Sequence, residues 1–266
     1  MKKLTLFIFT LFIFGGCDLL DIEDEEFLSN EEVIEGLKTA LSTGTDTAVS
    51  VLSVADGYFR DQAVKILLPQ EAQSALDEVQ SIMSGGGFEA IAVRTAYDLY
   101  LGPIIDDMVL ALNRSAEDAA DKAKPIFINA ITGMSIVDGF EILNGNYSSD
   151  PGSMAAGDTS ATHFLRVKTY NELFNAFQPD ISASLNKNLI GNKSANSLWS
   201  DFVTGYDIVA QASSNLDPIS EPDLGAYVTR KGLNGLFFKV AGEEEKIRED
   251  PFQYASDILE RVFGSI

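Results

Sequence analysis

The chain has 266 residues, an apolar share of 45% and a formal net charge of −21. A chain of this length can bury roughly three quarters of its surface, enough for one large domain. Because so acidic a surface repels phosphate backbones, we expect no nucleic acid as a partner. Cys17 is the only cysteine, so no internal disulfide can form and stability must come from packing.

The first segment has the pattern of an export signal. Lys2 and Lys3 precede an apolar run at residues 4–14, LTLFIFTLFIF. As a helix these eleven residues would cover about 16 Å, only half of a ~30 Å hydrocarbon core. This length is typical of a signal-peptide core and too short for a membrane span.

The residues that follow indicate lipid attachment. Gly15 and Gly16 are small enough to enter a signal-peptidase site, and the thiol of Cys17 can accept a diacylglyceryl group. The pattern resembles the bacterial lipobox, although Phe14 stands where Leu, Val or Ile is usual. We expect removal of residues 1–16 and a membrane anchor on Cys17, made durable by two or three acyl chains. The alternative is an ordinary signal peptide with an incidental cysteine.

Residues 17–28 combine the lipidated cysteine with an acidic run, which predicts a tether. Processing would leave 17 basic and 40 acidic residues, a net charge of −23, so the body should stand off the membrane. We expect a lipid-anchored protein of the bacterial cell envelope, at the periplasmic or surface face of the outer membrane. Acids behind Cys17 resemble surface-export signals, whereas Asp18 alone resembles an inner-membrane retention signal, so the leaflet stays open.

From Ser29 onward the apolar residues recur every three to four positions, which predicts an all-α fold. Ser29 can cap the first helix, with Glu31 and Glu32 in its first turn. We expect a single domain of about 8–10 helices over residues 29–266. A second helix is predicted from Pro69 to Gly85, and residues 88–123 should form one helix or a pair broken at Gly102-Pro103. Further helices should begin near Pro125 and cover residues 136–143 and 158–177, the latter ending at a break at Pro179. The last three predicted helices cover residues 194–212, 223–249 and 251–263.

One long loop is predicted at residues 144–157, and such loops are often functional.

The standard catalytic motifs are missing. His163 is the only histidine, which excludes a histidine-rich zinc site and a histidine-paired cysteine nucleophile. The glycines at 85–87 predict a hinge between helices and not a phosphate-binding loop. We expect no cofactor and no dedicated metal site.

Several ordered stretches carry a family resemblance. They are 43–49 (TGTDTAV), 112–117 (LNRSAE), 124–127 (KPIF), 161–166 (ATHFLR), 223–237 (DLGAYVTRKGLNGLF), 243–251 (EEEKIREDP) and 262–264 (VFG). From about Glu35 to Gly264 the chain resembles an uncharacterised bacterial lipoprotein family, domain of unknown function 4197. The resemblance implies a helical envelope lipoprotein and no assigned activity. Ser115 and Gly232 stand where the family more often has Ala, and both are small.

The predicted closing helix contains the most informative polar pair. Its apolar stripe includes Leu233 and Phe237, and Glu244 and Arg248 continue the same face. Their spacing of four favours an ion pair, and its position on an apolar stripe predicts partial burial. Such a pair is either a polar site at one end of a helical bundle or a structural ion pair that satisfies a helix end.

Two further polar patches lie earlier in the chain. Arg114 and Glu117 are three residues apart and can meet. Residues 43–47 (TGTDT) are poor helix formers, so either close packing around Gly44 or a hydroxyl-and-carboxylate ligand site should explain them. With the closing helix, these patches give our candidate polar site: Thr45, Asp46, Asn113, Arg114, Glu117, Lys231, Glu244 and Arg248.

Three hypotheses of function follow. The leading one is a non-catalytic envelope module that binds a protein or a small ligand in a groove between helices. The competing one is a carboxylate-based enzyme or divalent-cation binder in which Asp46, Glu117 and Glu244 converge. It requires these three carboxylates to share one site. The third is a structural spacer, which predicts no concave pocket.

Overall fold

The computed structural model describes residues 29–143, 159–213, 215–219 and 222–264. Over these residues the protein is all-α, as the periodicity predicts, and the only β-type pairing is one bridge between Ile190 and Lys193. The α-helices are α1 (Asn30–Leu52), α2 (Gln70–Ser84), α3 (Phe88–Ala96), α4 (Gly102–Ala119), α5 (Ala123–Thr132), α6 (Ile136–Leu143), α7 (Ser160–Leu185), α8 (Ala195–Ala210), α9 (Leu224–Glu249) and α10 (Asp257–Phe263).

The start of α1 follows the predicted cap. The Glu32 N–H donates to Ser29 Oγ at 3.2 Å, and the Ser29 N–H donates to Glu32 Oε2 at 2.9 Å. This reciprocal capping box satisfies two N–H groups that the first turn leaves without helical partners. The helix then runs without a break through residues 43–47 to Leu52.

The helix α9 lies at the centre of the fold. It packs along α7, α1 and α4, while α6 and α10 cover α1 and α8 packs on α4. Phe237 of α9 meets the Phe127 ring edge-on at 5.7 Å and stacks on Tyr170 at 6.4 Å. Contacts with three other helices therefore fix the position of α9. Polar side chains on α9 can form hydrogen bonds with these neighbouring helices.

The predicted break at Pro179 is wrong. The helix α7 continues through Pro179 to Leu185. Proline lacks an N–H and so removes one hydrogen bond from a helix interior. The turns beyond it nevertheless bury Ile181 and Leu185, which are 1% and 2% exposed, and this packing keeps the helix intact.

The segment 88–123 contains two main helices, and the second begins at Gly102, in agreement with the predicted break at Gly102-Pro103. A π-helical turn, Tyr97–Leu101, leads directly into α4, and Pro103 lies in the first turn of α4, where proline is well tolerated. Gly205 of α8 crosses this turn so closely that a Cβ would lie 2.4 Å from the Tyr100 carbonyl oxygen. The irregular turn is thus a packing site for α8.

The predicted start of the last helix is also wrong. Pro251–Tyr254 forms a separate 3₁₀ turn, and Ala255 then takes a positive φ of 44°. The chain changes direction there, so α10 begins at Asp257 and not at Pro251. The predicted loop at 144–157 and the segment 1–28 lie outside the described residues.

Within the described residues no single helix is long and apolar enough to cross a membrane. One pair of segments, 88–132 and 136–143, meets the length and composition criteria jointly but is bent by 104°.

Candidate functional site

Glu244 is buried and Arg248 is half-buried, which confirms the predicted partial burial of the pair. Their side chains are 8% and 14% exposed, and Arg248 Nη2 lies 2.9 Å from Glu244 Oε1. The Glu244 carboxylate also accepts the N–H of Ala161 at 2.8 Å and both the N–H and the hydroxyl of Thr162, at 2.7 and 2.8 Å. Glu244 therefore caps the start of α7, where N–H groups lack helical partners.

Arg248 binds the end of a different helix. Its Nη2 donates to the Ile142 carbonyl at 3.1 Å and its Nη1 to the Leu143 carbonyl at 3.4 Å, at the end of α6. A negative group at the start of α7 and a positive group at the end of α6 both match the helix dipoles. We call this pair the α6–α7 clasp, because it ties together the two helices on either side of residues 144–158.

Burial raises the pKa of Glu244, while Arg248 and the donors from Ala161 and Thr162 oppose this rise. The space beside the pair is small. A cavity of about 10 Å³ lies next to it, lined mainly by apolar residues of α1 and α9. That volume holds one water molecule at most. The clasp therefore has no room for an organic ligand, which favours the structural interpretation of the pair.

Asn113 joins α4 to the chain that follows α1. Its Oδ1 accepts the Ile66 N–H at 2.8 Å, and its Nδ2 donates to the Ile66 carbonyl at 2.7 Å. The side chain is fully buried, so this two-way pairing satisfies a backbone segment that has no regular secondary structure. Asn113 is thus occupied by a structural role.

Arg114 and Glu117 meet, as their spacing predicts. Arg114 Nη1 lies 2.5 Å from Glu117 Oε2, and its Nη2 lies 2.6 Å from Asp56 Oδ1. The other Glu117 oxygen accepts the N–H groups of Tyr58 and Phe59 at 3.0 and 3.2 Å. Glu117 is 4% exposed. Like Glu244, it uses a buried carboxylate to hold backbone N–H groups.

The segment 53–68 contributes partners that sequence reasoning missed. Asp56 has a positive φ of 72°, a conformation that Asp tolerates in turns, and it also binds Arg60 at 2.8 Å. The hydroxyl of Tyr58 donates to the Gly232 carbonyl of α9 at 2.8 Å, and Lys239 binds Asp61. The Asp56-Gly57 dipeptide was a turn signal, but nothing in the sequence tied it to Arg114.

The other candidate residues do not join either buried group. Thr45 donates to the Leu41 and Ser42 carbonyls of its own helix, at 2.8 and 3.0 Å. Asp46 is 58% exposed and lies 3.5 Å from Lys124. Lys231 is exposed, with its ammonium 5.8 Å from the centre of the Tyr227 ring. A Cβ at Gly44 would meet only Glu243, at 3.5 Å, so close packing does not require glycine there.

The structure does not gather Asp46, Glu117 and Glu244 into one site. Each is held by different partners: Lys124, the segment after α1, and the start of α7. In the part of the chain that the structure describes, no group of three or more His, Cys, Asp or Glu side chains could hold a metal ion. The geometry needed for the carboxylate or cation hypothesis is therefore not formed by these three residues.

A cleft of about 530 Å³ opens elsewhere, between the end of α7, one face of α8 and the start of α9. Its lining is mainly polar and uncharged, with Ser182, Asn186, Asn196, Ser200 and Thr204 around a more apolar base that includes Trp199. Volumes of this size are typical of small-molecule sites. None of the candidate residues from the sequence lies in it.

Comparisons with known proteins give a family but no function. No curated protein and no solved structure matches the chain significantly. The family model described as "Protein of unknown function (DUF4197)" matches residues 27–264, which covers all of the described helices. The chain therefore belongs to this DUF4197 family.

Proposed function

We propose that the protein is a lipid-anchored lipoprotein of the bacterial cell envelope whose helical body is a non-catalytic binding module. The observation that carries the proposal is the contrast between occupied and available polar groups. The buried carboxylates of Glu117 and Glu244 are each held by backbone N–H groups and one arginine. The polar cleft between α7, α8 and α9 is open to a ligand.

This occupation of the carboxylates argues against acid–base chemistry at these positions. A general acid or base must be within hydrogen-bond reach of a substrate proton, and each of these carboxylates has its oxygens directed at structural donors. The cleft also argues against a pure spacer, since that hypothesis predicts no concave pocket. A binding role for the helical body accounts for both features.

The anchor rests on the sequence alone. The short apolar run at 4–14, the two glycines and Cys17 together support export and lipidation. Each buried methylene of an attached acyl chain contributes about 0.8 kcal/mol, so two or three chains hold even a strongly acidic body at a membrane. An envelope protein or a small ligand is the partner expected for such a module.

The anchor is tested by replacing Cys17. The full chain and its Cys17→Ala variant are expressed in a bacterial host, and membrane and soluble fractions are compared by mass and by detergent partition. The wild type should be processed and recovered with membranes. The variant should be soluble or remain an uncleaved precursor, because no other segment is proposed to hold it. Fully processed Cys17→Ala protein that stays in the membrane fraction would refute the proposal.

A further inference from the structure

We propose that the cleft between α7, α8 and α9 binds a neutral, polyhydroxylated ligand of the saccharide class. The inference rests on the proposed binding function and deepens it by naming the chemistry of the ligand. It is carried by the shape of the cleft, the charge of its lining and the kind of hydrogen-bonding groups that face it.

The walls of the cleft are fixed by three helices. Gly225 allows the start of α9 to approach α7, where a Cβ would lie 2.5 Å from Ser182 Oγ. Trp199 stacks on Phe202 at 5.4 Å within α8, and Leu185 and Leu224 are buried. The polar lining residues Ser182, Asn186, Asn196, Ser200 and Thr204 form what we call the rim of the cleft. The cleft is therefore supported by core packing and does not depend on a ligand to form.

The charge of the lining excludes anions. Among the described residues that line the cleft, Asp223 is the only charged one, and none is Lys, Arg or His. One Asp223 oxygen accepts the Ala226 N–H at 2.9 Å, so a carboxylate already occupies the N-terminus of α9, where an anion would otherwise bind. The net charge of the protein, −21, adds a long-range repulsion.

The polar rim suits hydroxyl groups. Asn196 Nδ2 donates to Asn186 Oδ1 across the cleft edge at 2.9 Å, and Asn186 Nδ2 donates to the Ser182 carbonyl at 2.9 Å. These bonds orient both amides, and each amide still has a second N–H group and an oxygen lone pair for a ligand. Ser182 and Ser200 add hydroxyls, which can donate or accept, whereas the Thr204 hydroxyl donates to the Ser200 carbonyl at 2.8 Å and offers a ligand only an acceptor. A sugar presents the same mixed donors and acceptors on its edges and a C–H face that can lie on the apolar base. A purely apolar ligand would leave these polar groups without partners.

The fluorescence of Trp199 provides a local measurement, because it is the only tryptophan in the chain. The processed full chain is solubilised in a detergent that carries no sugar head group and titrated with glucose, N-acetylglucosamine and glucuronate. Calorimetry gives a second readout. The neutral sugars should cause a saturable change in emission, and glucuronate should bind at least about tenfold more weakly, a difference of about 1.4 kcal/mol.

Two serine variants locate the binding. Ser200→Leu places a branched side chain at the rim of the cleft, whereas the control Ser50→Leu makes the same change at an exposed position on α1 that does not line it. Ser200→Leu should weaken neutral-sugar binding at least about tenfold and Ser50→Leu should leave it unchanged. Asn196→Ala serves as a second rim variant, and thermal melting checks that each variant is folded.

The proposal is overturned if no neutral sugar gives saturable binding, or if glucuronate binds as well as glucose. Binding that survives both rim variants would also overturn it, because the ligand would then lie elsewhere. None of these results would alter the membrane fractionation of the Cys17→Ala variant, so failure of this inference is distinguishable from failure of the proposed anchor.

Discussion

The buried polar groups and the open cleft differ in what their hydrogen bonds do. Glu117 and Glu244 lie inside the fold and direct their oxygens at backbone N–H groups and arginines. In the cleft, Asn196 donates to Asn186, whose own amide donates to the Ser182 carbonyl, and both exposed amides keep a second N–H group for a ligand. The first kind of site holds segments together, and the second kind can hold a ligand.

This difference follows from the cost of burial. A buried polar group without a partner costs about 1–3 kcal/mol, so the interior is built to satisfy its own groups. Among the described residues, no buried side-chain nitrogen or oxygen lacks a partner. A charged, buried and paired residue is therefore a poor guide to function here. The partly solvated groups at a cleft edge are the better guide.

The largest expected effects come from the two buried carboxylates. Glu117→Ala and Glu244→Ala should each lower the free energy of unfolding by about 3–5 kcal/mol, because an arginine and several N–H groups lose their partner. Asp46→Ala, at a 58% exposed carboxylate, should change it by less than about 1 kcal/mol. Urea denaturation measures all three. Equal effects at the three positions would remove the distinction between buried and exposed carboxylates.

Two glycines on α9 test the packing around the segment 53–68. A Cβ at Gly235 would lie 2.8 Å from Tyr58 Cε1, whereas one at Gly232 would meet nothing nearer than the Ala116 Cβ at 3.7 Å. Gly235→Ala should therefore destabilise the fold by about 1–3 kcal/mol. Gly232→Ala should stabilise it by about 0.5–1 kcal/mol, the helix-propensity gain. Thermal melting of the two variants should move in opposite directions, and shifts of the same sign would contradict the packing described here.

A smaller effect should depend on pH. The hydrogen bond from Lys239 holds the pKa of Asp61 below its usual value. The carboxylate therefore contributes stability that is present above the unfolded-state pKa, near 4, and is lost as the pH falls through the folded-state pKa. Asp61→Asn should cost about 1 kcal/mol at pH 7, and the difference from wild type should shrink by about pH 3. A difference that is constant across this range would show that the charge of Asp61 is not involved.

The smallest effect on stability should come from the cleft. Ser200→Leu alters an exposed side chain for which no structural role is evident, so the free energy of unfolding should change by no more than about 0.5 kcal/mol. Chemical denaturation of this variant beside Ser50→Leu measures it. A large loss of stability would mean that the rim of the cleft, like the buried carboxylates, serves the fold.

Local signals predicted most of the fold. Ser29 caps the first helix as predicted, Ser194 and Asp223 cap helices that were predicted to begin at those residues, and the apolar period located the long helices. The prediction of a helix break at Pro179 and of a helix start at Pro251 was wrong, because both followed from local rules for proline. At Pro179 the burial of Ile181 and Leu185 outweighs one lost hydrogen bond, and that burial depends on distant helices.

The candidate site was predictable only in part. The spacing of Glu244 with Arg248, and of Arg114 with Glu117, correctly identified the pairs within a helix. Their backbone partners at Ala161 and Tyr58 are 83 and 59 residues away, so no short motif could reveal what the pairs hold. The cleft was missed for the same reason, since its lining comes from three separate helices.

The most direct test of the central claim, that the α6–α7 clasp is structural, is a double-mutant cycle on Glu244 and Arg248. Unfolding free energies are measured for wild type, Glu244→Ala, Arg248→Ala and the double variant. Both single variants should be clearly destabilised, and the double should lose less than their sum, with a coupling of about 0.5–3 kcal/mol. Single variants that are as stable as wild type or more stable, or strictly additive losses, would contradict the claim.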